Sequence, residues 1–268
     1  MTEGAKLRIV PELEGRVLRV VLEAPPGNVL DSSMIEALTA FFDEQSAPSA
    51  VRALILEGAG KHFSFGASVA EHRREEVASM LARFHRMLRT LAQLSIPTLA
   101  AVRGQCLGGG LELVGLCTWI FAAPEAAFGQ PEIQLGVFAP AASAVLPWRL
   151  GGGRALDLCV SGRTIRAEEA RAMGLVHELA TDPAAAALAF AEAMLVPKSA
   201  ASLRFAERAV RLGLVQALEG RLMELEKLYL EELMETPDAN EGLAAFLEKR
   251  APRWAKPGAE RRVHDARS

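Results

Sequence analysis

Short runs of β-branched and other apolar residues alternate with longer stretches of helical spacing over the first two-thirds of the chain, and this alternation constrains the fold more than any other feature. Val17 to Leu22, Val51 to Leu56 and Pro97 to Val102 read as strands. Between the first two, Ser33 to Gln45 spaces Met34, Leu38, Phe41 and Phe42 as one face of a helix. Glu75 to Leu94 repeats Met80, Phe84, Leu88 and Leu91 on one side, with arginines on the other. Strands interleaved with helices predict an α/β fold. After about Pro197 the strand signals stop and only helices follow. From Gln216 to Glu235, Leu218, Leu222, Leu225, Tyr229 and Leu233 form an apolar stripe that fits the core or another subunit. Asp238, three residues before Glu241, predicts a cap for the helix carrying Leu243 and Phe246.

A chain of 268 residues that is 50% hydrophobic buries a sizeable core, which excludes a largely disordered protein. With 30 Lys and Arg against 33 Asp and Glu, it lacks the basic face needed to neutralise nucleic-acid phosphates. Charge is uneven, however: residues 249–268 hold seven Lys or Arg and two acids, and this segment either stays in solvent or meets an anion. Cys106, Cys117 and Cys159 show no metal-ligand or disulfide spacing. Neither an apolar leader nor a membrane-length apolar run is present, so the expected location is the cytoplasm, with no membrane partner.

Several common chemistries lose their signatures. Leu113 and Leu156 occupy the third-glycine positions after Gly108-Gly109-Gly110 and Gly151-Gly152-Gly153, which disfavours dinucleotide binding. No phosphate loop or HExxH follows either run, and Ser64 lacks the glycines of a nucleophile elbow. What remains are three segments. Arg103 to Leu113 reads as a strand passing through glycines into a helix start, where unpaired N–H groups can hold an oxyanion and Glu112 falls in the first turn. Close packing with an ordinary first-turn acid is the other reading. His62 to Val69 adds a second glycine site, or else an irregular loop. Phe128 to Gly136 sets Glu132 after a proline among apolar neighbours, either desolvated for proton transfer or solvated in a turn.

In order and wording, the three segments resemble the enoyl-CoA hydratase/isomerase family, the crotonase superfamily. The resemblance runs from about Val17 to Trp254. Gly108-Gly109-Gly110-Leu111-Glu112-Leu113 and Phe128-Gly129-Gln130-Pro131-Glu132-Ile133 are its most specific pieces. Ser161-Gly162-Arg163, Gly174-Leu175-Val176 and Glu241 to Arg250 add to it. It implies a spiral of repeated ββα units over residues 1–196. A helical trimerisation region, 197–268, would complete the CoA site of a trimer or dimer of trimers. It also implies an acyl-CoA thioester whose carbonyl sits between the amides of Ala67 and Gly109, flanked by Gly66 and Gly108. Glu112 and Glu132 match the family's two catalytic glutamates. No metal or cofactor is implied beyond CoA as part of the substrate.

Departures point to a subfamily. Ser68 stands where an aspartate is usual, Phe65 where a small residue is usual, and Gly136 to Ser143 replaces a glycine-rich turn. This wording resembles the cyclohexa-1,5-diene-1-carbonyl-CoA hydratases, which add water 1,4 to give 6-hydroxycyclohex-1-ene-1-carbonyl-CoA. Phe65, Val137 and Phe138 are the candidate walls for a flat ring. Glu23 to Asn28 lacks the basic residue many relatives place near the CoA phosphates, whereas Phe246 and Lys249 match positions that reach CoA. Two alternatives remain: an ordinary 2-enoyl-CoA hydratase or isomerase, and a non-catalytic CoA-ester or RNA binder of the same fold. The five histidines have no motif role.

Overall fold

The computed structural model describes residues 6–47 and 49–255. In chain order its regular elements are β1 (Leu7–Glu12), β2 (Val17–Leu22), α1 (Ser32–Gln45), β3 (Ala53–Gly58), α2 (Val77–Gln93), β4 (Thr98–Val102), β5 (Gln105–Leu107) and α3 (Gly109–Gly115). They continue with β6 (Trp119–Ala122), β7 (Ala127–Gly129), α4 (Pro140–Leu150), α5 (Gly152–Ser161), β8 (Thr164–Arg166), α6 (Ala167–Ala172) and β9 (Glu178–Leu179). Three long or terminal helices close the series: α7 (Pro183–Met194), α8 (Ala200–Lys227) and α9 (Pro237–Leu247).

A large sheet runs β1-β2-β3-β4-β6-β9, antiparallel only at β1–β2, and a small one runs β5-β7-β8. The path repeats. β4 in the large sheet passes to β5 in the small sheet and then to α3; β6, β7 and α4 do the same. The preceding turn is a looser copy, because after β3 Ser64 makes a single bridge to Cys106 of β5 before α2 begins. Strand, strand and helix therefore wind as a spiral, and each passage between the sheets brings a loop to the same end of the small sheet.

Both faces of the large sheet are covered, which is why its strands read as continuous apolar runs rather than alternating ones. Leu54 and Leu56 of β3 face the main core with Met34 and Leu38 of α1 and Met87 and Leu88 of α2. Ala53 and Ile55, pointing the other way, pack with Leu99, Phe121 and the alanines Ala187 and Ala191 of α7. From α8 and the turns after it, Leu218, Leu222 and Tyr229 join the main core, with Leu225 and Leu233 packed against it. The stripe thus serves the core along this segment.

The expected C-terminal boundaries need correction. The helical run to Glu235 is broken: α8 passes into a π-helical turn, Leu228–Glu232, and a 3-10 turn, Leu233–Glu235. Thr236, not Asp238, caps α9, its hydroxyl accepting from the Ala239 N–H at 3.3 Å. Pro237, at the first helical position with no N–H to satisfy, makes that register natural. Asp238 instead accepts from the Ala255 N–H at 2.7 Å. Among the described residues no helix is long and apolar enough to cross a membrane.

Candidate active site

Two glycine junctions meet at the end of the small sheet. Gly108 links β5 to α3 at φ 50°, ψ −125°, a conformation that side-chain-bearing residues avoid. Gly66 has φ +97°, and a Cβ there would lie 2.8 Å from the Leu107 carbonyl oxygen and 3.1 Å from the Gly109 nitrogen. A Cβ on Gly109 would in turn lie 3.1 Å from the Ala67 nitrogen. Backbone therefore touches backbone, and the Ala67 and Gly109 amides stand side by side. Among the described residues neither N–H has an acceptor in the chain. Buried Ser64 braces this arrangement, donating to the Asn28 carbonyl at 2.9 Å and accepting from the Gly66 N–H at 3.0 Å.

Glu112 falls one turn into α3 and is buried. Its Oε1 accepts from the Ala142 N–H, at the start of α4, at 2.6 Å. Burial pushes this carboxyl above the usual range, while the Ala142 and Ala141 amides oppose the rise. Glu132 belongs to a 3-10 turn, Pro131–Leu135, and reaches over the glycine junction. A Cβ on Gly108 would lie 2.5 Å from its Oε1, so only glycine leaves room for the carboxylate. Gln130, oriented to satisfy both groups, donates its amide to Glu132 Oε2 at 3.0 Å and Oε1 at 3.2 Å. Desolvation raises the Glu132 carboxyl, and the Glu112 charge raises it further. Two neighbouring carboxyls held this way cannot both ionise freely, so each ionisation tightens the other's hold on its proton.

A narrow cleft is lined by Gly66, Ala67, Gly108, Gly109, Glu112 and Glu132, with Phe65, Val137 and Phe138 as apolar walls. It runs into a wider outer cavity of about 500 Å³ bounded by Phe246, Arg250 and Pro252. Phe65, Val69, Pro131 and Leu135 border both. Two expected residues stand apart. Ser68 lines neither cavity; it precedes the 3-10 turn Val69–His72, and its carbonyl meets His72 Nδ1 at 2.8 Å. Lys249, at φ 55° just past α9, lines neither as well. The cation on the outer cavity is Arg250, paired with Glu241 at 2.6 Å. Most of the basic segment, from residue 256, lies outside the described residues.

The spacing rules missed Gln130, and they missed His72 and His85, which line the inner cleft. His85 follows Phe84 on a helix whose apolar rhythm marks that face as core, so nothing in the local pattern separates a cavity residue from a packing one.

Residues 12–257 match the model of the enoyl-CoA hydratase/isomerase family. The chain belongs to that family. It is 48% identical over 255 residues to a cyclohexa-1,5-dienecarbonyl-CoA hydratase from Thauera aromatica, covering 95% of this chain and 99% of the relative. A probable enoyl-CoA hydratase from Bacillus subtilis is 36% identical, covering 88% of this chain and 93% of its own. Among solved structures, an enoyl-CoA hydratase from Mycobacterium avium superposes with a TM-score of 0.83 at 25% identity, over 94% of this chain and all of that one. The expected crotonase-like spiral is therefore the fold found.

Proposed function

We propose that this family member is a hydro-lyase that adds water 1,4 to cyclohexa-1,5-diene-1-carbonyl-CoA, giving 6-hydroxycyclohex-1-ene-1-carbonyl-CoA. One observation carries the chemistry: two carboxyls with raised proton affinity share a cleft with two amide donors that have no acceptor among the described residues. The near full-length likeness to the Thauera aromatica enzyme supports the choice of substrate.

The thioester carbonyl oxygen accepts from the Ala67 and Gly109 amides, which favour the enolate over the ground-state carbonyl; losing one such donor costs about 2.7–4 kcal/mol of barrier. With the carbonyl polarised, an ionised carboxylate of the Glu112–Glu132 pair takes a proton from water as the oxygen bonds to ring C2. The displaced electron pair moves through C1 into the thioester, forming a dienolate. Its collapse restores the carbonyl, leaves C1=C6 double and bonds a proton at C5. Phe65, Val137 and Phe138 bracket the flat ring, and the outer cavity with Phe246 and Arg250 takes the arm of CoA, which is part of the substrate rather than a cofactor. A homo-oligomer completes the reading, supported by the apolar side chains exposed along α5 and α8.

Liquid chromatography of cyclohexadienoyl-CoA and crotonyl-CoA at equal enzyme tests the reading. Faster turnover of the cyclic diene is expected. Faster crotonyl-CoA hydration would instead make this an ordinary 2-enoyl-CoA hydratase, and no turnover of either would make it a binding protein of the same fold.

A further inference from the structure

A 1,4-hydration places its two new bonds at opposite corners of the ring: the hydroxyl on C2 and the proton on C5, farther from the thioester. Carboxylates clustered around Gly108, beside the amides that hold the carbonyl, suit the water at C2. C5 calls for a proton source elsewhere in the cleft.

One part of the cleft is lined by α2, against which α8 packs. His85 of α2 is fully buried and lines the inner cleft. Its Nδ1 lies 2.5 Å from Glu226 Oε1 on α8, and Nε2 has no partner among the described residues. A buried ring nitrogen without a partner is costly, so an unsatisfied one on a residue that lines a substrate cleft marks a place where a ligand or proton is handled. A second orphan lies behind Phe138. The hydroxyl of Tyr229, the only tyrosine in the chain, is buried one turn beyond Glu226 and has no partner among the described residues. Its ring meets Phe138 of the cleft edge-on at 5.4 Å. Tyr229 falls in the π-helical turn that follows α8, an irregularity that recurs at functional sites. The charges of Glu132 and Glu112 add to burial in pushing its phenol up, which places its hydroxyl within the field of both carboxylates.

We infer that His85, fixed by Glu226, is a third catalytic residue of this site and delivers the proton to C5. The inference rests on the cyclic-diene reading above. In the doubly protonated ring Glu226 accepts the Nδ1–H and fixes its orientation, leaving Nε2–H as the mobile proton. In the forward direction the Nε2–H bond breaks as the C5–H bond forms with the dienolate electron pair. His85 is left neutral and the glutamate pair holds the proton taken from water. After product leaves, the glutamates release that proton to solvent and His85 regains one, so the cycle closes without any other reactant.

The test compares wild type with His85→Gln and Glu226→Gln, using cyclohexadienoyl-CoA forward and the 6-hydroxy product in D2O. Gln at position 85 keeps an amide for Glu226 but cannot transfer a proton. Its kcat should fall about 100-fold or more, with KM changed less than about threefold. In D2O, wild type should exchange hydrogen at C3 of the product, the former C5, as read by mass spectrometry of the ring. His85→Gln should lose that exchange. Glu226→Gln should lower kcat about tenfold, and it decides the matter if circular dichroism shows His85→Gln unfolded. If the folded His85→Gln variant, or failing it Glu226→Gln, keeps wild-type kcat and exchange, the assignment is wrong while the substrate reading stands. A wild type that leaves the cyclic diene untouched defeats both.

Discussion

Burying Glu112 and Glu132 side by side has a stability consequence as well as a catalytic one. Each carboxyl binds its proton more tightly folded than unfolded, so the native state gains stability below the unfolded pKa and loses it as pH rises through the folded one. Glu132→Gln removes that burden. Its thermal midpoint should exceed that of wild type at about pH 9, and calorimetry should show the gap closing towards about pH 4, where both proteins are neutral at this position. The same variant should lose about 100- to 10,000-fold in kcat, as should Glu112→Gln. The two differ in what they leave behind. Glu112→Gln removes a charge that helps hold the Glu132 carboxyl up, so the Glu132 limb of the residual pH–rate profile should shift to lower pH. Burial, the larger cause, is retained, so that limb stays above the ordinary carboxylate range. An unmoved limb would mean that the two carboxyls do not sense each other.

At the scale of elements, the site depends on glycines at which main chain meets main chain or a carboxylate. Gly108→Ala would strain a left-handed residue and drive a methyl into Glu132 Oε1. The expected result is a folded, destabilised protein with kcat lowered at least about 100-fold, checked by steady-state assay beside circular dichroism. Gly242 of α9 is a second such contact: a Cβ there would lie 2.1 Å from the Leu135 carbonyl oxygen, at the end of the turn that carries Glu132. Gly242→Ala should force α9 off that turn and cost about 1–3 kcal/mol in a denaturation curve, with a further loss of kcat. These elements were largely legible in the sequence. Apolar periodicity located β2, β4, α1 and α2 to within two residues, while the glycine segments marked three stretches as candidates and only the family resemblance singled out Ala67, Gly109, Glu112 and Glu132 within them. What escaped depends on tertiary partners. His85 meets Glu226 across 141 residues, and Gln130 earns its place only because the Glu132 carboxylate folds back over Gly108. The π-helical turn escaped too, since its stripe of leucines continues the helical rhythm through the break.

The whole molecule leaves apolar surface that a lone chain has little reason to keep. Val210 is 87% exposed and Phe205 70%, both on α8, while Leu156 and Val160 of α5 are exposed as well. Trp148, Val210 and Leu214 line one groove between α4 and α8. Scattered exposed apolar residues need no explanation, but large ones gathered along helices that already contribute to the core mark a contact surface. The chain is therefore expected to sediment as a homo-oligomer, and the double substitution Phe205→Glu with Val210→Glu should yield a smaller, folded species, because a charge buried at each copy of the contact finds no partner. Catalysis then reports how much of the site one chain supplies. The carboxylates, the free amides and the ring walls all come from residues between Phe65 and Tyr229 of a single chain, so the kcat of the dissociated species should stay within about tenfold of wild type. KM should rise by more than that if a neighbouring copy helps to enclose the CoA arm in the outer cavity. Sedimentation velocity and steady-state kinetics on the same preparation read both effects, and a monomeric wild type would remove the premise.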